Sequence, residues 1–326
     1  MQARYFLIAA AYTLVSISSA WANESANYPT RAIKMVIPYA AGGGVDLLGR
    51  KFAEAFGKQL GQTVFVENKV GAGGTLGASS VAQSRPDGYT LLFGGSPLIT
   101  NKLMNPSLSV DALTSFAPVA LINMNPFVLT VAHSSPYKKV EDLVRAAQKE
   151  PGKLNFASGG IGTGSHLAGA ALATVSGINV VHVPYRGSVE LVPSLLSGQT
   201  QFCFPVVTAA LPQFNAEAVR ILAVTSAKRL PILPDTPTMK EVLGNDDVVV
   251  ESWNGVWGPL DLPADIAAKL NTAIHETFKQ PELKEFFDKN GSPVELTETP
   301  ADFTRFLQNE TAKFGRIIKA SNVVKY

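Results

Sequence analysis

Apolar and polar positions along this chain fall into short alternating blocks. Ile33–Ile37 is an apolar run that empties into Pro38-Tyr39-Ala40-Ala41-Gly42-Gly43-Gly44-Val45-Asp46. Beyond it, Leu48, Phe52, Ala55, Phe56 and Leu60 recur every three or four residues, the spacing of a helix with one buried face. The pattern predicts strand, glycine-rich turn, helix. Residues 63–67 form a second expected strand, 70–74 a second glycine loop, and 75–83 a short helix. Pro86-Asp87-Gly88 signals a turn before a third strand at 89–93, and Gly94-Gly95-Ser96-Pro97 reads as a loop. Strands that alternate with helices and each end in a glycine- or proline-rich turn predict a parallel sheet wrapped by helices.

Further on, 117–122 and 127–132 read as strands split by Asn123-Met124-Asn125-Pro126, and 138–149 as an exposed helix stopped at Pro151-Gly152. The opening grammar then returns. A strand at 154–157 leads into Ser158-Gly159-Gly160-Ile161-Gly162-Thr163-Gly164-Ser165-His166, and 167–175 is an Ala- and Leu-rich helix. A strand at 180–183, the turn Pro184-Tyr185-Arg186-Gly187, a helix at 189–196 and strands at 200–204 and 220–224 close the block. Residues 229–237 are a proline-rich connector, 248–259 alternate like a strand, and 263–279, 281–289 and 300–320 read as helices. Two α/β blocks, each with one β-loop-α unit of the same kind, predict two lobes facing one cleft. Ligands of open parallel sheets sit at the C-terminal strand ends, where these loops lie.

The first turn of a helix exposes backbone N–H groups without internal partners and carries partial positive charge. Glycines let a ligand approach that backbone, so each loop is a candidate anion cradle. A phosphate loop needs Lys and Ser/Thr after its last glycine; the first loop offers Val45-Asp46 and the second His166. A dinucleotide fingerprint needs a third glycine, and Leu47, Leu76 and Leu167 stand in its place. There is no G-x-S-x-G, and the histidines at 133, 166, 182 and 275 show no metal-ligand spacing. Ser165, His166 and Asp46 could make a triad, although a histidine at a helix start more commonly donates one hydrogen bond to a ligand or a cap.

Asp46 would repel an anion, and its expected role is to cap free N–H groups. Thr163 and Ser165 suit either capping or ligand binding. Tyr39 and Tyr185, just after strands, are expected to wall the cleft together with the 94–98 loop, which contains Ser96. Trp253 and Trp257 are expected in the core, and the 71–74 loop as a tight structural turn.

Composition narrows the partners. Arg4, an apolar stretch at 5–17 and Ala20-Trp21-Ala22 have the layout of a secretory signal peptide, residues 1–22, cleaved after Ala22. The formal charge of +2 falls to +1 when Arg4 leaves (27 basic against 26 acidic residues), and no long basic run exists, so nucleic acid is not an expected partner. Cys203 is the single cysteine, set between Phe202 and Phe204, and reads as a small core residue. No later apolar stretch suffices for a membrane span, so a soluble, monomeric exported protein without metal, cofactor or catalytic residues is expected.

Taken together, the ordered motifs resemble those of the Bug family, the periplasmic solute receptors of tripartite tricarboxylate transporters. The motifs are Pro38-Tyr39-Ala40-Ala41-Gly42-Gly43 with Asp46, Val66-Glu67-Asn68-Lys69 before Gly71-Ala72-Gly73-Gly74, Pro86-Asp87-Gly88-Tyr89-Thr90-Leu91-Leu92, Gly162-Thr163 through His166-Leu167, Val183-Pro184-Tyr185-Arg186-Gly187 and Pro234-Asp235-Thr236-Pro237-Thr238. The resemblance implies a type II periplasmic-binding-protein fold with a hinge and an interlobe cleft, residues 28–125 plus 250–326 in one lobe and 126–249 in the other. It implies a small carboxylate ligand pinched between residues 39–46 (Tyr39, Ala40, Ala41, Gly42, Gly43, Gly44, Asp46) and 158–166 (Ser158, Gly159, Gly160, Thr163, Ser165, His166), then docking on a membrane permease. Two departures stand out. Pro205 occupies a position where members often carry Asp, which disfavours an amino-acid ligand, and Gly44-Val45 replaces a more polar pair.

Overall fold

The computed structural model describes residues 27–185 and 187–320. The expected signal peptide and Arg186 lie outside the described residues. The first sheet has the order β2-β1-β3-β10-β4, built from β1 (Ile33–Ile37), β2 (Val64–Asn68), β3 (Thr90–Gly95), β4 (Phe116–Pro126) and β10 (Glu251–Pro259). The second has the order β7-β6-β8-β5-β9, from β5 (Val128–Ala132), β6 (Asn155–Ser158), β7 (Val181–Pro184), β8 (Phe202–Cys203) and β9 (Val219–Val224). In each sheet three parallel strands are followed by one antiparallel strand, β10 in the first and β5 in the second. These two antiparallel strands are the first elements the chain forms after passing from one sheet to the other, at Phe127 and again at Val250. The result is a two-lobed α/β binding-protein fold, with both crossing segments feeding sheet interiors.

The helices α1 (Gly44–Leu60), α2 (Thr75–Ala82) and α3 (Pro97–Met104) belong to the first half, with α9 (Ala264–Phe278), α10 (Pro281–Lys289) and α11 (Pro300–Ala320) returning to it. The second half carries α4 (Val140–Lys149), α5 (Gly164–Ser176), α6 (Leu191–Leu196), α7 (Val207–Asn215) and α8 (Met239–Leu243). Helix α1 forms as its periodicity predicts and buries Leu48, Phe52 and Phe56. Phe52 stacks on Phe56, Phe93 and Phe278, tying α1 to β3 and α9. Trp253 and Trp257 are fully buried, as expected, and Trp253 Nε1 donates to Glu310 of α11 at 2.9 Å. One apolar cluster continues across both halves, from Leu92 and Phe303 through Met124 and Phe127 to Leu129 and Phe156.

Three expected features differ. Asn123-Met124-Asn125-Pro126 is not a break; it is the end of β4. These asparagines are buried, and Asn125 is satisfied: its Oδ1 accepts from Asn123 Nδ2 and Ser292 Oγ, and its Nδ2 donates to Asn254 Oδ1 on β10, while Asn123 Oδ1 is left without a partner among the described residues. Gly94 and Gly95 are strand rather than loop, because a Cβ at Gly95 would stand 2.3 Å from the Trp253 carbonyl and only glycine permits this approach of β10. Finally, α3 starts directly at Pro97, which suits a first helical turn, and α7 carries Pro212 inside it and was not anticipated.

Candidate functional site

The loop after β1 and the loop after β6 have the same backbone. Gly42 and Gly162 take φ of 79° and 77°. Such left-handed values favour glycine. Gly43 N–H donates to Ala40 O at 3.4 Å, and Thr163 N–H to Gly160 O at 3.3 Å. Leu47 N–H donates to Gly43 O and Leu167 N–H to Thr163 O, both at 2.9 Å, so α1 and α5 begin identically after the N-caps Gly43 and Thr163. The third helical residue then reaches back over the turn. Gly42 N–H donates to Asp46 Oδ2 at 2.8 Å, and Gly162 N–H donates to His166 Nδ1 at 3.0 Å.

The chemistry on these two matching frames differs. Asp46 is buried, and its carboxylate also accepts from Arg50 Nε and from Asn68 Nδ2 at 2.8 Å. Burial pushes this carboxyl upward, but bonds from Arg50, Gly42 and Asn68 and the guanidinium charge outweigh it and hold the group below the usual carboxylate range. Both oxygens are thus turned into the protein, away from a ligand. Asp46 takes a loop amide rather than an amide of its own helix, and Gly43 supplies no side-chain cap. The first-turn amides of Gly44 and Val45 therefore have no side-chain acceptor.

In the second loop the hydroxyls are busy. Thr163 Oγ1 donates to Gly160 O at 2.7 Å and accepts from His166 N–H at 3.4 Å. Ser165 Oγ accepts from Gly159 N–H at 3.0 Å, and Ser158 Oγ accepts from Gly160 N–H at 3.1 Å. These bonds spend the amides of Gly159, Gly160 and Gly162, and leave those of Gly164 and Ser165 at the head of α5. The histidine expectation needs correction, since His166 Nδ1 accepts a hydrogen bond instead of donating one. Its ring stacks on His182 with centroids 3.8 Å apart, and His182 Nε2 shares a 2.6 Å hydrogen bond with Ser158 Oγ. Burial, then the neighbouring His182, push His166 down to about 4, and burial does the same to His182, also to about 4. Both rings are neutral at neutral pH. Ser165, His166 and Asp46 do not form a triad: Ser165 and His166 are bonded within the second loop, and Asp46 is bonded to Gly42, Arg50 and Asn68 in the other half.

The remaining expected residues spread around these loops. Ala40, Ala41, Gly42, Gly43 and Gly44 are exposed. Tyr39 packs on the first-lobe core and beside Gly74, and burial pushes its phenol up. Tyr185 packs beside the cluster of Ala157, Leu191, Leu195 and Cys203, and its hydroxyl donates to Gln199. Ser96 is buried at the head of α3, with its hydroxyl 2.9 Å from that of Ser252. Pro205 is buried, and its carbonyl accepts from Val128 N–H at 2.9 Å. The 71–74 loop is a turn whose Gly73 carbonyl accepts from Asn101.

Three neighbours were not anticipated: Arg50, Asn68 and His182. The spacing of Asp46 and Arg50, four apart on a helix, was a usable signal. The others meet their partners only in the folded chain. Among the described residues, no group of three or more His, Cys, Asp or Glu is placed to hold a metal, and no helix is long and apolar enough to cross a membrane.

This pair of helix starts on a two-lobed frame defines a solute-binding protein. The chain matches the tripartite tricarboxylate transporter family receptor model over residues 48–323, and it belongs to that family of periplasmic receptors, which bind solutes rather than transform them. It is similar to the periplasmic binding protein BugD, with 32% identity, TM-score 0.79 and coverage of 92% of this chain and 100% of that one. An R. palustris protein solved with adipate matches at 30% identity and TM-score 0.83, covering 91% and 99% of the two chains. MatC of Rhodopseudomonas palustris, solved with bound malate, matches at 28% identity and TM-score 0.78, covering 89% and 100%.

Proposed function

We propose that this protein captures a small carboxylate, a di- or tricarboxylate or an aromatic acid, between its lobes and delivers it to the membrane subunits of a tripartite tricarboxylate-type transporter. One observation carries the reading. Two matching loops turn their third helical side chains inward, leaving adjacent first-turn amides in each half as anion donors. Relatives solved with adipate and malate are consistent with this chemistry. The same reading assigns residues 28–125 and 250–326 to one lobe and 126–249 to the other, and cleavage of the exported chain after Ala22 to give a monomer. A ligand held by both loops binds the closed arrangement better than the open one and shifts the population toward it.

The test is a titration of purified protein with adipate, malate, benzoate, glutamate and a neutral sugar, followed by tryptophan fluorescence and melting. A carboxylate at about 100 times its Kd is expected to add about 2.7 kcal/mol of stability. A response to the sugar and to none of the acids would overturn the reading. Replacing Gly43 or Thr163 by a bulky residue is expected to abolish binding while the protein still melts cooperatively.

A further inference from the structure

Helix α7 begins between the two lobes. A Cβ at Gly291, after α10 of the first lobe, would stand 2.3 Å from Val207 Cγ1. One residue later, Thr208 Oγ1 lies 3.5 Å from the position of a Cβ on Gly44. Thr208 is half-buried, and its hydroxyl makes no hydrogen bond to any described residue. Gly44 opens α1 and is exposed, and because it carries no side chain nothing of its own stands between its backbone and the Thr208 hydroxyl.

We infer that Thr208 is a ligand contact reaching from the second lobe to the first loop, where its hydroxyl bonds the same carboxylate oxygen that the Gly44 amide holds. The inference rests on the carboxylate-receptor reading above and adds a residue to it. A hydroxyl opposite a backbone amide supplies the second donor that a carboxylate oxygen, with two lone pairs, can accept. Because that donor comes from the other lobe, the contact exists only while α7 stands against the first loop. Thr208 therefore makes affinity depend on interlobe geometry as well as on the two loops. Serine keeps the hydroxyl, and valine keeps the shape without it.

The experiment measures binding of the tightest acid among adipate, malate, benzoate and glutamate to wild type, T208V and T208S by calorimetry, with the ligand-free melting temperature of each. T208V is expected to bind about tenfold or more weakly, the scale of one hydrogen bond to a charged group, while T208S stays within about threefold of wild type. Ligand-free melting is expected to be nearly equal in all three, which separates a contact from a packing role. Wild-type binding with T208V within twofold of it would overturn this inference alone. Equal losses in T208V and T208S would also overturn it, because shape rather than the hydroxyl would then matter. A wild-type protein that binds none of the four acids would overturn the receptor reading and this inference together.

Discussion

Gly42 and Gly162 share one backbone conformation but not one environment. A Cβ at Gly42 meets nothing within 4 Å, whereas one at Gly162 stands 2.8 Å from Met104 Cγ across the lobe boundary. Gly42→Ala is therefore expected to cost about 1–2 kcal/mol, the left-handed penalty alone. Gly162→Ala adds displacement of Met104 and is expected to cost more; urea melts of both variants check the order.

The His166–His182 stack gives a pH dependence with a definite sign. Both folded pKa values, about 4, lie below the ordinary histidine value. The unfolded chain thus binds more protons between about pH 6.5 and 4. Stability from these rings is complete above about pH 6.5 and is lost as pH falls toward 4. His182→Phe, which keeps a stacked ring but cannot titrate, is expected to flatten that slope in denaturation curves measured from pH 7.5 to 4.5.

At the scale of elements, glycine punctuation and apolar spacing made most of the fold legible. The β-loop-α units were readable because Ile33–Ile37, the glycines and the α1 stripe are all local signals. The end of β4 was not, because Asn123 and Asn125 look like loop residues until β10 pairs with their backbone and Asn254 and Ser292 bond the Asn125 side chain from far along the chain. Helix α7 was hidden by Pro212, and with it the placement of Thr208. Of the site, the two loops were visible in sequence. The inward turn of Asp46 was only half visible, since Arg50 lies four residues away but Asn68 comes from β2. Gly95 is the sharpest test at this scale. A methyl there would meet the Trp253 carbonyl, a backbone atom that cannot swing aside, so Gly95→Ala is expected to cost about 3 kcal/mol by parting β3 from β10. Comparing the chemical-denaturation midpoint of the variant with wild type checks it.

Across the whole molecule, the return crossing carries a titratable group of opposite habit. Glu251 opens β10 and is buried. Burial, outweighing the attraction of Lys313, and repulsion from Glu295 and Glu310 push its carboxyl up to about 8. An unfolded glutamate titrates near 4.3, so between about pH 4.3 and 8 the folded chain binds the extra proton. Stability from this group is full below about pH 4.3 and declines as pH rises through 8, the reverse of the histidine pair. Glu251→Gln is expected to gain stability over wild type at pH 8 and to gain little at pH 5. Equal effects at both pH values would contradict it.

The inward reach of Asp46 and His166 also divides the amides of each loop into two kinds. Gly42 and Gly162 N–H are bonded to side chains, while Gly44, Val45, Gly164 and Ser165 sit in first helical turns that leave N–H groups without intrahelical partners. Hydrogen–deuterium exchange should therefore resolve neighbours in sequence. Without ligand, Gly42 and Gly162 should exchange slowly beside fast partners two or three residues on. A bound acid should slow those partners in both halves at once and leave Gly42 and Gly162 unchanged, printing the grip of the two lobes as a paired footprint on the backbone itself.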